Sequence, residues 1–437
     1  MELGDALPDV RSPIPAAAGR AWVERLAASE CPALTTRRKR RQEQTGASYD
    51  PIVWVEARGA NVVDADGNRY VDLTAGFGVA FVGHGHPEVV AAVKQQADRL
   101  LHALGDLHPS DVKIALLERL RGLAPWPNAR VMLSLSGADA VTAALKTAVM
   151  ATGKTGVVAF HGSYHGLSYG PLAVSGYDPR FREPFRDQLQ PNVHFARWPE
   201  GDAGAEAALQ TLPNDWSRIG AVLVEPVQGR AGVRVPPPGF LEALASACQA
   251  HGALLIVDEI FTGLGRCGAW WRSIDAGVVP DVICAGKALG GGLPVSACLG
   301  REDVMAAWGT PDREAIHTGT FYGDPLGSAA ALATLDLIER EEWVRRASER
   351  GLTLAAMLRS AKLPGATEVR QVGLMLGLQL EGELSALTMT RALLERGYLT
   401  LPAGRAGDVL QLTPPVTVTE TQLEGFVAAL EDALGNR

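Results

Sequence analysis

Five short apolar runs constrain this chain more than anything else in it. They are GVVAFHG (156–162), AVLVEPV (221–227), ALLIVDEI (253–260), DVICAGK (281–287) and VSACLG (295–300). Each is nearly continuous in apolar character, as a strand covered on both faces must be. Helical segments lie between several of them. These are 138–152 and 239–251, the second with Phe240, Leu241, Leu244 and Ala247 at helical spacing. That alternation predicts an α/β fold, a mostly parallel sheet with helices on both faces. The chain has 437 residues, too many for one simple core. A large domain is expected over 76–325, and a long helix (326–346) should lead to a smaller α+β domain over 326–437. That region holds strand-like stretches at 367–382 and 408–419, then a closing helix. Residues 1–75 are expected to pack with the small domain. Within them 53–73 alternates around Asp66-Gly67-Asn68, the pattern of short antiparallel strands. Residues 1–50 show no clear periodicity.

Charge narrows the function classes. The balance of 41 basic and 49 acidic residues leaves −8, which argues against a general nucleic-acid or anionic-membrane binder. One basic run, Arg37 to Arg41, reads as a solvated N-terminal arm. Cys31, Cys248, Cys267, Cys284 and Cys298 show no CxxC and no metal-ligand spacing. They fit a reducing compartment, with the thiols acting as small apolar residues. The start, MELGDALPDV, is acidic and lacks a charged-then-apolar leader, and no apolar stretch reaches the roughly 18 residues of a membrane helix. A cytoplasmic soluble protein is expected.

Polar residues cluster where ligands bind such sheets, just beyond the carboxyl ends of strands. Glu225 follows AVLV, Asp258 and Glu259 follow LLIV, His161 and Tyr164 follow VVAF, and Lys287 follows VICAG. Lysine is seldom buried, yet Lys287 stands between an apolar run and the triplet Gly290 to Gly292, where the backbone can pass close to something. Ser136-Gly137-Ala138 form a small-residue turn before a helix, whose free N–H groups suit an anion, although a serine there is commonly only a cap. A lysine nucleophile forms Schiff bases with carbonyls. Pyridoxal 5′-phosphate needs a lysine, an anion site, a carboxylate for its ring nitrogen and a cover for its ring. Lys287, the 136–138 turn, Asp258 and Tyr164 would supply them.

Taken together, several segments resemble the class III (subgroup II) aminotransferases, fold-type I pyridoxal-phosphate enzymes. They are GANVVDADGNRYVDLTAGFGVAFVGHGHP (59–87), SGADAVTAALKTA (136–148), FHGSYHG (160–166), EPVQGRAGV (225–233), VDEIFTGLGRCG (257–268), PDVICAGKALGGGLP (280–294) and HTGTFYGDPLGSAAA (317–331). The resemblance implies Lys287 as the Schiff-base lysine, Asp258 on the pyridine nitrogen and Tyr164 stacked on the ring. It puts Ser136, Gly137 and Ala138 at the phosphate, and His165, Glu225 and Phe261 around the cofactor. Thr320 would reach the phosphate of the neighbouring subunit, so a homodimer with shared active sites is implied. An amino group would pass between a primary amine or amino acid and a keto acid or aldehyde.

The chain also departs from that pattern. Glutamate-using members carry an arginine directly after YHG, where this chain has Leu167. They carry another in the strand before the C-terminal PP, where it has Gln411. The acidic residue usual after EPVQG is Arg230, the hydroxyl residue usual at the phosphate is Ala138, and the common DEVQTG glutamine is Phe261. Glutamine is a weaker partner for a carboxylate than a bidentate arginine. Three readings stay open. Arg405, in the LPAGRAGDV loop, could serve instead, though it also reads as a solvated loop residue. The amino donor could be other than glutamate. Or the reaction could be racemisation, epimerisation or an aminomutase shift on the same scaffold. Phe77, Leu167 and Phe261 would make a rather apolar pocket, with Glu225, Arg405 and Gln411 as further substrate contacts. Such a pocket favours an uncharged side chain or an amine distant from a carboxylate.

Overall fold

A computed structural model describes residues 3–435 except 47, 49, 202–203, 310–313 and 382–384. The last residue of the strand-like stretch 367–382 therefore lies outside the described residues. Three sheets organise the chain. The first comprises β1 (Trp54–Arg58), β2 (Asn61–Asp64) and β3 (Arg69–Asp72), antiparallel as expected around the Asp66-Gly67-Asn68 turn.

The central sheet has seven strands. They are β4 (Arg130–Ser134), β5 (Gly156–Phe160), β6 (Val193–Ala196), β7 (Ile219–Val224), β8 (Leu254–Asp258), β9 (Val282–Ala285) and β10 (Ser296–Gly300), in the order β4-β10-β9-β8-β7-β5-β6. All five apolar runs are strands here, and β5, β7, β8, β9 and β10 are buried along their whole length. Only β10 runs against its neighbours, β9 and β4. The carboxyl ends of β4, β5, β7, β8 and β9 consequently share one edge of the sheet. Helices Gly137–Thr152 and Phe240–His251 cover the sheet, each packing apolar residues against the strands.

The third sheet holds β11 (Ala366–Val372), β12 (Met375–Leu380), β14 (Leu401–Ala403) and β15 (Val409–Leu412) in the order β11-β12-β15-β14. The two-residue strand β13 (Tyr398–Leu399) instead joins β3 in parallel. The closing helix is Glu420–Gly435.

Two expectations need correction, and the N-terminal segment adds a finding. The single helix over 326–346 is two helices, Pro325–Arg340 and Trp343–Ser360, divided where Glu342 takes a φ of +53°. Ile338 and Trp343 both sit in the same core cluster. Five residues apart, they would point about 140° away from each other on one continuous helix, so the chain breaks to bury both. Of 408–419 only Val409–Leu412 is strand, because Pro414 and Pro415 cannot donate to a ladder. Residues without periodicity near the N-terminus form two helices, Ala17–Ser29 and Pro32–Thr45. The first buries only Gly19 and Val23, so no apolar stripe marks it in the sequence. The basic run lies on the second, with Arg38 paired to Glu30. Among the described residues, no helix is long and apolar enough to cross a membrane.

Candidate active site

The shared edge of the sheet carries one cavity of about 320 Å³. Gly137, Ala138, Tyr164, His165, Glu225, Phe261 and Lys287 line it with Leu167 and Asp258, alongside Gly166, Val227, Ile260 and Thr262. These residues come from loops after five different strands, and the topology brings them to one place.

Lys287 follows β9 by two residues and holds a φ of +44°, unusual for a side chain with a Cβ. Such strain persists only where the surroundings fix it. Its Nζ lies 4.1 Å from the centre of the Phe261 ring. Burial lowers the pKa of its ammonium. The carboxylates of Asp258 and Glu225 oppose that shift, and the positive charges of Arg266 and Arg230 add to it. The amine is therefore easier to deprotonate than an ordinary lysine. Gly78 must be glycine for this packing. At φ +85° a Cβ there would lie 2.5 Å from the Phe261 ring and 3.4 Å from Lys287 Cδ.

Asp258 ends β8 almost wholly buried. Its Oδ2 lies 2.7 Å from His165 Nδ1, and its Oδ1 accepts from the Ile260 amide. Burial opposes charge on the His165 ring, but the hydrogen bond and charge of Asp258, with Glu225 nearby, outweigh it and raise the pKa. His165 Nε2 has no partner among the described residues. Strand alternation sends Glu259 elsewhere, where it accepts from the Ser273 amide and from Thr262.

Glu225 follows β7, and its Oε2 accepts the Tyr164 amide at 3.0 Å. Burial pushes its carboxyl up to about 7, against the pull of His165. The folded apoprotein then keeps a proton that the unfolded chain releases near 4.5, so this group's contribution to stability falls as pH rises from about 4.5 to 7. Glu225→Gln should flatten that decline, removing a pH-dependent loss of about 3 kcal/mol at most. Urea unfolding of the apoprotein across that window checks it, and an unchanged slope would remove Glu225 as its source.

The helix Gly137–Thr152 opens onto the same cavity. The Ser136 hydroxyl caps it, accepting from the Asp139 amide at 3.2 Å and donating to Asp139 Oδ2 at 2.9 Å. In this structure that hydroxyl is committed to capping. The Gly137 and Ala138 amides have no acceptor in the chain among the described residues. Close approach is built in around them. A Cβ on Gly137 would meet Ile260 Cδ1 at 2.7 Å, and one on Gly166, at φ +118°, would meet Ala138 Cβ at 2.8 Å.

Five residues expected at the site do not line this cavity, Ser136 among them, its hydroxyl held in the helix cap. Phe77 is 68% exposed, although its neighbour Gly78 touches the Phe261–Lys287 contact. Arg405 is exposed on its loop. Gln411 is buried on β15, and its Nε2 donates to the Gly229 carbonyl at 3.2 Å. Thr320 is exposed and lies with His102, Gly105, Lys113 and Tyr322 around a separate small cleft. Gly166, Val227, Ile260 and Thr262 line the cavity without having been expected there, and Arg230, outside the lining, stands against one of its walls. The Arg230 guanidinium carbon sits 4.3 Å from the centre of the Tyr164 ring. The only sequence signal for it was its departure from the acidic residue expected at that position.

The profile of the class-III aminotransferases matches residues 44–434. The chain belongs to that family and is a transaminase of fold type I. Among curated relatives, the acetylornithine aminotransferase of Methanopyrus kandleri is 40% identical over 384 residues, covering 88% of this chain and 94% of that one. Among solved structures, an amine transaminase from an uncultivated Pseudomonas species, in its PLP-bound form, superposes with a TM-score of 0.81 at 29% identity, covering 88% of this chain and 95% of that one. The ornithine aminotransferase of Toxoplasma gondii superposes with a TM-score of 0.80 at 28% identity, covering 97% and 98%.

Proposed function

We propose that this transaminase uses pyridoxal 5′-phosphate held at the Lys287 cavity, and that it takes the amino group of a substrate whose amine lies away from its carboxylate. The observation that carries the reading is the convergence of Lys287, Asp258 and Tyr164 on one cavity with the open end of the Gly137 helix. The donor set fits the cofactor. Uncommitted Gly137 and Ala138 amides suit a phosphate, the small residues leave it room, a buried carboxylate suits a ring nitrogen, and Tyr164 offers a face to cover the ring. Pyridoxal phosphate bound there supplies an aldehyde for an amine and a ring that accepts electrons from the substrate carbon.

The chain's own groups do the rest. Lys287, whose ammonium burial makes easier to deprotonate, would hold the cofactor and could carry a proton from the substrate carbon. Asp258 stays oriented through His165. Glu225, near 7, can hold or release a proton beside the Tyr164 amide.

The substrate class rests on Leu167, Phe261, Val227 and Ile260, an apolar stretch of lining. It suits the carbon chain of a molecule that presents a terminal amine to Lys287. An acetylornithine-like donor has that form, in keeping with the curated relatives. A half-reaction screen tests this. Holoenzyme is exposed to ω-amino acids, simple amines and α-amino acids, and loss of the cofactor's visible band is followed with release of the carbonyl product. Terminal amines should convert it fastest. Glutamate reacting as fast as the best amine would overturn the substrate reading, and inversion at Cα without carbonyl release would favour the isomerase alternative.

The same reading extends to assembly. Leu101, Leu104, Leu107, Ile316 and Phe321 are exposed apolar residues on segments that meet at the His102–Phe321 contact, beside Thr320. An apolar patch of this kind suits a subunit interface. It supports a homodimer in which Thr320 serves the partner's cavity. We further assign 1–75 and 326–437 to a small domain and 76–325 to the large one, a division supported by the β3–β13 pairing. Five free cysteines suit a cytoplasmic setting.

A further inference from the structure

Position 230 is where this chain differs most in charge from the family pattern, and the fold gives that difference a place. Gly229 is pressed against Phe261, since a Cβ there would stand 2.5 Å from the ring. Phe261 in turn faces Lys287 Nζ at 4.1 Å. The next residue, Arg230, lays its guanidinium on Tyr164 at 4.3 Å, with Tyr177 at 4.9 Å and Phe181 at 5.6 Å. Arg230 thus joins the two aromatic walls of the lysine cavity, beginning at Phe261 and ending on Tyr164.

What holds this arginine leaves its donors free. No carboxylate among the described residues lies within ion-pair distance of it. Aromatic faces attract a guanidinium through its plane, while its five N–H groups point outward in that plane. The surrounding backbone is fixed. The Gly404 amide donates to the Arg230 carbonyl, and the Tyr177 hydroxyl donates to the Gly404 carbonyl. A guanidinium so held is pre-organised for a planar, bidentate anion.

The other candidates for that task are spent or turned to solvent. Gln411, where the family pattern has its arginine, gives its Nε2 to the Gly229 carbonyl. It therefore sits next to Arg230 in space, although far from it in sequence. Arg405 is exposed, and its charge is felt at His161 and Asp178. The pattern of an acid at 230 and an arginine at 411 is thus altered at both adjacent positions.

We infer that Arg230 is the substrate-carboxylate receptor of this enzyme, the cation having moved from the β15 position to the neighbouring loop. The ligand class is a carboxylate carried on an apolar chain, on either the amino donor or the keto-acid acceptor. The inference rests on the transaminase reading above and names the group that anchors the far end of its substrate.

Calorimetric binding of two unreactive probes, pentanoate and pentanamide, to the holoenzyme tests it without needing the natural substrate. Wild type should prefer pentanoate. Arg230→Gln should weaken pentanoate binding by about 10- to 100-fold and leave pentanamide within about twofold. Arg230→Lys should fall between, because it keeps the charge and loses the fork. The exchange R230E/Q411R should regain most of the preference that R230E alone loses. Equal binding of the two probes by wild type, or unchanged pentanoate binding by R230Q with its visible band intact, would overturn the assignment. If no amine in the half-reaction screen yields a carbonyl product, the transamination reading fails instead, and the probe comparison still reads Arg230.

Discussion

Lys287→Ala should lose about ten-thousand-fold in transamination turnover. One substitution removes both the nucleophile that attaches the cofactor and the base that moves the substrate proton, and positioned proton transfer alone contributes about 10²- to 10⁴-fold. Lys287→Arg makes the sharper control. It keeps a cation near Phe261 and Asp258, but a guanidinium stays protonated and can neither attack a carbonyl nor accept a proton. Both variants should fold, since Lys287 opens a one-turn 3₁₀ helix, Lys287–Gly290, rather than lying in a strand, and alanine meets the same backbone strain at φ +44°. Turnover with the best donor from the half-reaction screen is the primary measurement. Thermal unfolding shows that the fold persists, and the visible spectrum shows the lysine-bound cofactor signal gone. More than a few per cent of wild-type turnover in either variant would remove Lys287 from the proposed role.

Asp258→Asn should cost a few hundred- to a few thousand-fold in kcat, the effect of losing one side of a buried charge interaction. The carboxamide matches the carboxylate in size, so the cavity keeps its shape. What disappears is the negative charge that would hold a pyridine nitrogen protonated. The partner should respond as well. His165 is fully enclosed, and burial alone opposes its charged form; only Asp258 and Glu225 raise its pKa. In Asp258→Asn that pKa should drop well below its wild-type value, which NMR titration of the apoprotein reads directly. A variant with normal kcat, or with His165 titrating as before, would contradict the role given to Asp258.

The sequence displayed the central sheet unevenly, and the reason is coverage. β5, β7, β8, β9 and β10 are buried along their length, so each shows as an unbroken apolar run. β4 and β6 form the two edges of the sheet. β6, VHFA, buries only Ala196 fully, and β4 begins on the exposed Arg130, so neither has that signature. The break at Glu342 was hidden because alanine and leucine continue on both sides of it, and only the burial of Trp343 reveals the change of direction.

The reactive end of the site was legible because each residue follows a recognisable strand end. Lys287, Asp258, Glu225, Tyr164 and His165 meet in one cavity for that reason. The substrate end was not. Arg230 appeared in the sequence only as a misplaced charge. The aromatic cradle that gives it meaning brings Tyr177 and Phe181, remote in sequence, against it through folding. Gln411 likewise looked like a lost arginine until its bond to Gly229 set it beside a gained one.

The position of β10 has a consequence for how the enzyme comes into being. Among the described residues β4 pairs with no strand but β10, Ser134 opposite Ser296, so its register waits on residues made long after it. Joining segments so distant is slow, because the connecting chain must be ordered before the contact is gained. The same strand flanks β9, which leads into Lys287, and Ser296 donates to the Ser136 carbonyl at the start of the Gly137 helix. The proposed anion site and the lysine are therefore completed by the same strand. A chain that has not yet closed β10 against β4 and β9 lacks that arrangement. A ligand that binds only the closed form stabilises it by about 2.7 kcal/mol at a hundred times its Kd, so cofactor supply would set how much of this protein survives in a cell as well as how much of it works.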